Sequence, residues 1–188
     1  MNDIKKVQVQ FDSVSEIVGS SQYGIILLKD VEGRRQFTII CDRAMAVQIE
    51  LHAKQLPITS IMLPDVFCRM IKESCGVELE IVVTGLVDGH YSTVLRNCNT
   101  QETFAIRASD AVLAHVSGGI PMYVKEKLMT KQSVDYVSSK TNSVAIPINT
   151  LSGEMLKDAL DKAILEENYE FATLLQNEQR RRLKKEND

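Results

Sequence analysis

The sequence predicts an α+β protein: a mixed β-sheet with packed helices, followed by a C-terminal helical hairpin. Three observations carry this. Apolar residues alternate at strand period in 4–11, 78–86 and 90–97, and 23–29 and 36–41 are rich in Ile, Leu and Phe. Two stretches of helical period, 42–55 and 64–75, separate the first strands from the later ones. Beyond residue 150 only helical period remains, so the chain reads as a main domain over 1–138, a linker over 139–150 and a hairpin over 151–188.

Ile4, Val7, Val9 and Phe11 are mostly spaced by two, which predicts an edge or first strand. Tyr23–Lys29 and Gln36–Cys41 are rich in Ile, Leu and Phe, and Glu32-Gly33 between them predicts a β-hairpin. Asp42 then stands where it can cap a helix to Gln55, on which Met45, Ala46, Ile49 and Ala53 recur every three or four residues. Pro64 suits the first turn of a second helix ending at Cys75, with Val66, Phe67, Met70 and Ile71 on one face and Gly76 as its stop.

Glu78–Leu86, His90–Asn97 and Glu102–Arg107 predict a three-stranded meander, turning at Val87-Asp88-Gly89 and at Asn97–Thr100. Ser109 offers an N-cap for a helix over Asp110–Ser117, which Gly118-Gly119 and Pro121 end before a short strand, Met122–Val124. In the tail, Leu156, Leu160, Ala163 and Ile164 form one helical stripe and Phe171, Ala172, Leu174, Leu175 and Leu183 a second. Ser152 and Asn168 can cap the two helices, and Leu151 and Leu156 stand at the positions of a hydrophobic staple. So small a unit buries little by itself, so its stripe should dock on the main domain, on a second copy or on a partner.

Composition narrows the function classes. Of 188 residues, 44% are hydrophobic and 25% charged, which suits a packed core and not a disordered chain. The net charge of -3 gives no global attraction for polyanions, so any nucleic acid contact must be local. The one basic cluster, Arg180, Arg181, Arg182, Lys184 and Lys185, reads first as a solvated helix end whose cations complement the dipole. There is no signal-like leader and no run approaching the roughly 20 apolar residues of a membrane span, so the cytoplasm is the expected location. Cys41, Cys68, Cys75 and Cys98 lack C-x-x-C spacing and only three histidines are present, so buried thiols are expected in place of zinc or disulfides.

The run FAIRASDAVLAHVSGGIPMYV, Phe104–Val124, carries Arg-x-Ser-Asp-Ala, an apolar helix and Pro-x-Tyr-Val, and in this it resembles the bifunctional nuclease family. IVVTGLVDGHY and YGIILLKDVEGRRQFTII are similar to two further stretches of that family, and together the three cover most of 21–137. The tail Leu156–Leu183 resembles the UVR motif of excision-repair nuclease subunits, with Leu160, Ala163, Glu167, Tyr169, Ala172, Leu175 and Glu178 on the pattern. These resemblances imply hydrolysis of phosphodiester bonds in DNA and RNA, nucleic acid as a partner, protein contact or self-association through 151–188, and a homo-oligomer.

Nuclease chemistry commonly relies on carboxylates around divalent cations and on a positive group at the scissile phosphate; Mg²⁺ or Mn²⁺ would suit such oxygen ligands. Arg107, Ser109 and Asp110 meet at a strand-to-helix junction, where helix amides and an arginine can receive a phosphate; the structural alternative is a cap, a dipole partner and an ion pair. Asp65, in the first turn of the second helix, is the second nominated carboxylate, so Asp110 and Asp65 are the expected metal ligands. Family members tend to have His-Asp where this chain has Pro64-Asp65, and Gly-x-x-Glu-Ala where it has the shortened Cys41–Ala46. Asp42 either substitutes for that glutamate or only caps. These departures keep open a second reading, a non-catalytic dimeric adaptor that recruits a partner through the hairpin. Asp88 reads as a turn residue, His52, His90 and His115 share no ligand spacing, and Tyr91 and Tyr123 read as sheet residues.

Overall fold

The computed structural model describes residues 5–17, 22–136 and 146–186. They form an α+β fold with an eight-stranded mixed sheet and six α-helices, the last two forming the C-terminal hairpin. Contacts divide the chain into two compact units: 1–85 with 91–144, and 86–90 with 145–188.

In the first unit, β1 (Lys6–Glu16), β2 (Tyr23–Asp30) and β3 (Arg35–Asp42) form an antiparallel meander. β4 (Leu79–Val87), β5 (His90–Asn97) and β6 (Thr103–Arg107) form a second. β7 (Met122–Lys125) joins the two, running parallel to β4 and antiparallel to β1, in the order β6-β5-β4-β7-β1-β2-β3-β8. The first strand is therefore central and not at an edge: Val9 faces Asp30 on one side and Met122 on the other. Chain order could not reveal this, because the flanking partner β7 comes more than a hundred residues later.

β2 is buried at almost every position, which requires cover on both faces. α1 (Arg43–Ala53) packs on β2, and a Cβ on Gly24 would sit only 2.7 Å from the Ala46 Cβ, so the approach depends on glycine. On another side the sheet curls over. The rings of Phe37 on β3 and Tyr91 on β5 lie 4.8 Å apart, although β4, β7, β1 and β2 intervene in the sheet order. Tyr91 is thus a core aromatic, and burial raises its phenol pKa.

α3 (Ala108–Gly118) packs beside α1. Their N-terminal ends meet through Arg107 and Asp42, and their C-terminal ends through Ser117 and His52, so the two helices run parallel. α2 is shorter than expected, Leu63–Met70, and continues as a π turn over Ile71–Cys75 that Gly76 stops at φ 59°. Its buried residue is Cys68, which lies against Gly118 of α3, while Val66, Phe67 and Met70 point outward. Two elements, α4 (Glu126–Gln132) and the two-residue β8 (Val134–Asp135), are not foreshadowed in the sequence pattern. Both are too short for periodicity to register.

In the second unit, α5 (Gly153–Leu165) and α6 (Tyr169–Glu186) bury Leu156, Ala163, Ala172 and Leu175 between them, with Leu151 packed against that cluster. Full burial of Leu156 and Leu175 contributes about 1.5–3 kcal/mol each. The expected caps form: Met155 N–H donates to Ser152 Oγ at 3.2 Å and Phe171 N–H to Asn168 Oδ1 at 3.2 Å. Of the linker reading over 139–150, residues 139–145 lie outside the described residues and Ile148–Thr150 form a 3-10 turn. No helix among the described residues is long and apolar enough to cross a membrane.

Candidate functional site

Two strands hand over directly to helices, β3 to α1 at Asp42 and β6 to α3 at Arg107, and the fold brings the two junctions together. Arg107 reaches Asp110 with a bidentate fork, Nε to Oδ2 at 3.0 Å and Nη2 to Oδ1 at 2.9 Å. Its Nη1 lies 3.6 Å from Asp42 Oδ2. The Asp110 hydrogen bonds, and behind them the charges of Asp110 and Asp42, raise the Arg107 pKa further. All three side chains remain open to solvent, at 59%, 39% and 49% for Arg107, Asp110 and Asp42.

Asp42 also caps α1, accepting from Met45 N–H at 2.7 Å. Asp42 is thus both the cap that was expected and a carboxylate beside the arginine. α3, in contrast, starts at Ala108 with no side-chain cap. Ser109 is buried inside its first turn and is not the N-cap, because the strand turns into helix two residues earlier than the Ser-Asp pattern suggests. The parallel helices α1 and α3 thus direct two positive dipole ends toward one exposed arginine flanked by two carboxylates. Adjacent Cys41 takes no nucleophilic part: burial pushes its thiol up to about 12.

Asp65 lies elsewhere. Its Oδ2 pairs with Nδ1 of the fully buried His52, and Ser117 Oγ lies 3.1 Å from the same nitrogen, all at the C-terminal end of α3. Seven residues of helix separate Ser117 from Asp110, about 10 Å of rise. Two oxygens on one Mg²⁺ stand at most about 4 Å apart, so Asp65 and Asp110 do not fit as ligands of one ion. Asp42 and Asp110, both on Arg107, are the carboxylates the fold does bring together. Among the described residues no three His, Cys, Asp or Glu side chains converge as a metal cage.

The Ser-His-Asp meeting at His52 is not a catalytic relay, because both partners address Nδ1, whereas a relay uses opposite ring nitrogens. It ties the ends of α1, α2 and α3 together. The sequence did carry a signal for it: His52 follows Ala46 and Ile49 at spacing three, on the buried face of α1. His115 is likewise structural, with Nδ1 at 2.7 Å from Ile120 O and Nε2 accepting from Phe11 N–H at 3.4 Å. His90 is exposed, and Asp88 occupies the hairpin turn at φ 48°.

A cavity of about 440 Å³ opens at the other end of α3, between Cys68, Lys72, Glu78, Gly119 and Tyr123. Its buried acid, Glu80, is held by Lys6 at 2.7 Å and by Arg96, and Lys6 sits 4.1 Å above the Tyr123 ring. The cavity lies at the negative, C-terminal end of α3, whereas Arg107 stands at the positive N-terminal ends of α1 and α3, so the helix dipoles favour an anion at Arg107. In the tail, Arg181 and Arg182 both converge on Glu178, at 2.6 and 2.9 Å, and Arg182 also donates to Asn149 O. That part of the basic cluster is an internal brace of the second unit.

Against known families, the profile of the bifunctional nuclease domain matches residues 26–136, more than half of the chain, and spans β3, α1, β6 and α3. No match among curated proteins was found.

Proposed function

Because the chain belongs to the bifunctional nuclease domain family, we propose that it hydrolyses phosphodiester bonds of DNA and RNA in the cytoplasm, at the surface where the β3–α1 and β6–α3 junctions meet. The observation that carries the reading is one exposed arginine set between two carboxylates at the N-termini of two parallel helices. An incoming phosphate competes with Asp110 for the Arg107 fork, whose geometry matches phosphate oxygens as well as it matches carboxylate. The first-turn amides of α3 face the same anion. Once released from the arginine, Asp110 and Asp42 are placed to orient an attacking water and accept its proton. They are also the residues that would hold Mg²⁺ or Mn²⁺, whose remaining ligands are water and substrate phosphate, as Mg²⁺ sites commonly arrange. Such an ion, when bound, supplies charge stabilisation at the phosphoryl group and a more acidic water.

The test incubates the purified full chain with single- and double-stranded DNA and RNA, with Mg²⁺, with Mn²⁺ and with chelator. Cleavage that Asp110→Asn and Asp42→Asn each abolish supports the reading. Cleavage indifferent to both substitutions, or none on any substrate, counts against it.

A second reading concerns the hairpin. Ile164, Leu165, Tyr169, Phe171 and Leu174 all present large apolar or aromatic area to solvent. This supports protein contact through 151–188, the role that the UVR-like pattern implies, and fits an adaptor whether or not the main domain cleaves. Capture of a partner by the full chain, lost in Leu165→Glu with Leu174→Glu, is the expected outcome.

A further inference from the structure

The cavity at the C-terminal end of α3 takes no part in the phosphate chemistry assigned to Arg107. At about 440 Å³ it has the size of a small-molecule site. Ile71, Val77, Leu79, Ile120 and Pro121 give it an apolar wall, and Tyr123 also lines it. Its charged residues are of two kinds. Glu80 is buried and already neutralised by Lys6 and Arg96, so it has no charge to offer a ligand. Lys72 and Glu78 are exposed where they line the cavity, and among the described residues neither makes an ion pair, with the other or with any third group. From this lining we propose that the cavity binds a free α-amino acid with an apolar side chain, Lys72 receiving its carboxylate and Glu78 its ammonium.

One base and one acid that line the same cavity without meeting match a ligand that carries both charges. A purely anionic ligand sets its charge against Glu78, and a purely cationic one against Lys72. Gly118-Gly119, where α3 ends, also line the cavity, and the negative pole of the helix there favours the ammonium. Each ionic contact is a charge-assisted hydrogen bond, and the apolar wall receives the side chain. Lys72 belongs to the π turn Ile71–Cys75, an irregularity frequent at functional sites. Glu78 stands on a pinned backbone: its N–H donates to Asn99 Oδ1 at 3.1 Å, and its C=O accepts from Cys98 N–H at 2.8 Å. Gly76, at φ 59°, turns the chain between the two charged residues, so they reach one cavity from different elements. The inference does not rest on the nuclease reading.

The experiment is isothermal titration calorimetry of the full chain with leucine, methionine and phenylalanine, on wild type, Lys72→Ala and Glu78→Gln. Saturable binding of at least one of the three is expected, with a Kd at or below about 1 mM. Its amide, which lacks the carboxylate, and its N-acetyl derivative, which lacks the ammonium, should each bind wild type at least about tenfold more weakly, as should glycine, which leaves the apolar wall uncovered. Lys72→Ala and Glu78→Gln should each weaken the amino acid by at least about tenfold, with unchanged thermal melts because both positions are exposed. No binding of any of the three amino acids up to about 10 mM overturns the proposal. So does an amide or an N-acetyl derivative that binds wild type as tightly as the amino acid, an outcome that needs no variant to fold. Undiminished binding by either variant overturns it as well.

Discussion

Replacing Arg107 by alanine separates a functional arginine from a structural one, because the structure assigns it different costs in the two roles. Its three side-chain contacts, at 2.9, 3.0 and 3.6 Å, all go to carboxylates that are themselves well exposed. Exposed ion pairs of this kind are worth about 0–1 kcal/mol, and loss of that amount lowers Tm by no more than about 4 °C in a chain of this size. As a receiver of the scissile phosphate, the same group contributes charge stabilisation in the transition state. Removing such a contact elsewhere costs about 100- to 1000-fold in rate, or roughly 3–4 kcal/mol. Arg107→Ala should therefore keep its melting curve within those few degrees and lose at least 100-fold in cleavage of both DNA and RNA. Arg107→Lys keeps the charge but not the planar fork, and should fall between the two. The assay is initial-rate cleavage of a labelled oligonucleotide, paired with differential scanning calorimetry on the same samples. Activity within about threefold of wild type would refute the assignment. A collapse of Tm that accompanies the loss of activity would instead make Arg107 a structural brace.

Two further predictions concern stability. Gly118→Ala places a Cβ 2.7 Å from both Cβ and Sγ of Cys68, so α2 must move off α3; a loss of about 1–3 kcal/mol is expected in urea titration, with Cys68→Ser in the same background giving partial relief. For Asp30, burial raises the pKa, but the backbone N–H groups of Arg35 and Arg34 and the Arg35 side chain outweigh it and hold the carboxyl below its ordinary 3.8. A depressed carboxylate contributes fully above its unfolded value and loses that contribution as pH falls through the lower folded value. Wild type should therefore lose urea resistance as pH drops below about 4, and Asp30→Asn should be less stable at pH 7 yet show a shallower acid decline.

Much of the fold was legible because its signals are local. Glu32-Gly33 and Asp88-Gly89 marked hairpins, Asp42, Ser152 and Asn168 marked caps, runs of Ile, Leu and Phe marked β2 and β3, and alternation marked β4 and β5. The candidate site was half legible. Arg107 and Asp110 are three residues apart, so their pairing could be read from the chain, whereas the convergence of Asp42, more than sixty residues away, could not. That Asp65 lies at the other end of α3 from Asp110 could not be read from the chain, because sequence distance says nothing about which end of α3 each carboxylate meets. Ser109 failed as a cap for a smaller reason, a helix that begins two residues early.

Local composition and periodicity determined by themselves that this chain folds as a mixed sheet followed along the chain by a helical hairpin, since turn chemistry and strand or helix period act over a few residues. Which strand lies in the middle, that Phe37 and Tyr91 share a core, and that α1 and α3 run parallel were decided by tertiary structure alone. Those outcomes follow from the curl of the sheet and from which faces bury best together, and both depend on contacts between residues far apart in the chain. The outward stripe of α2 makes the same point, for its periodicity predicts an apolar face but not what that face meets.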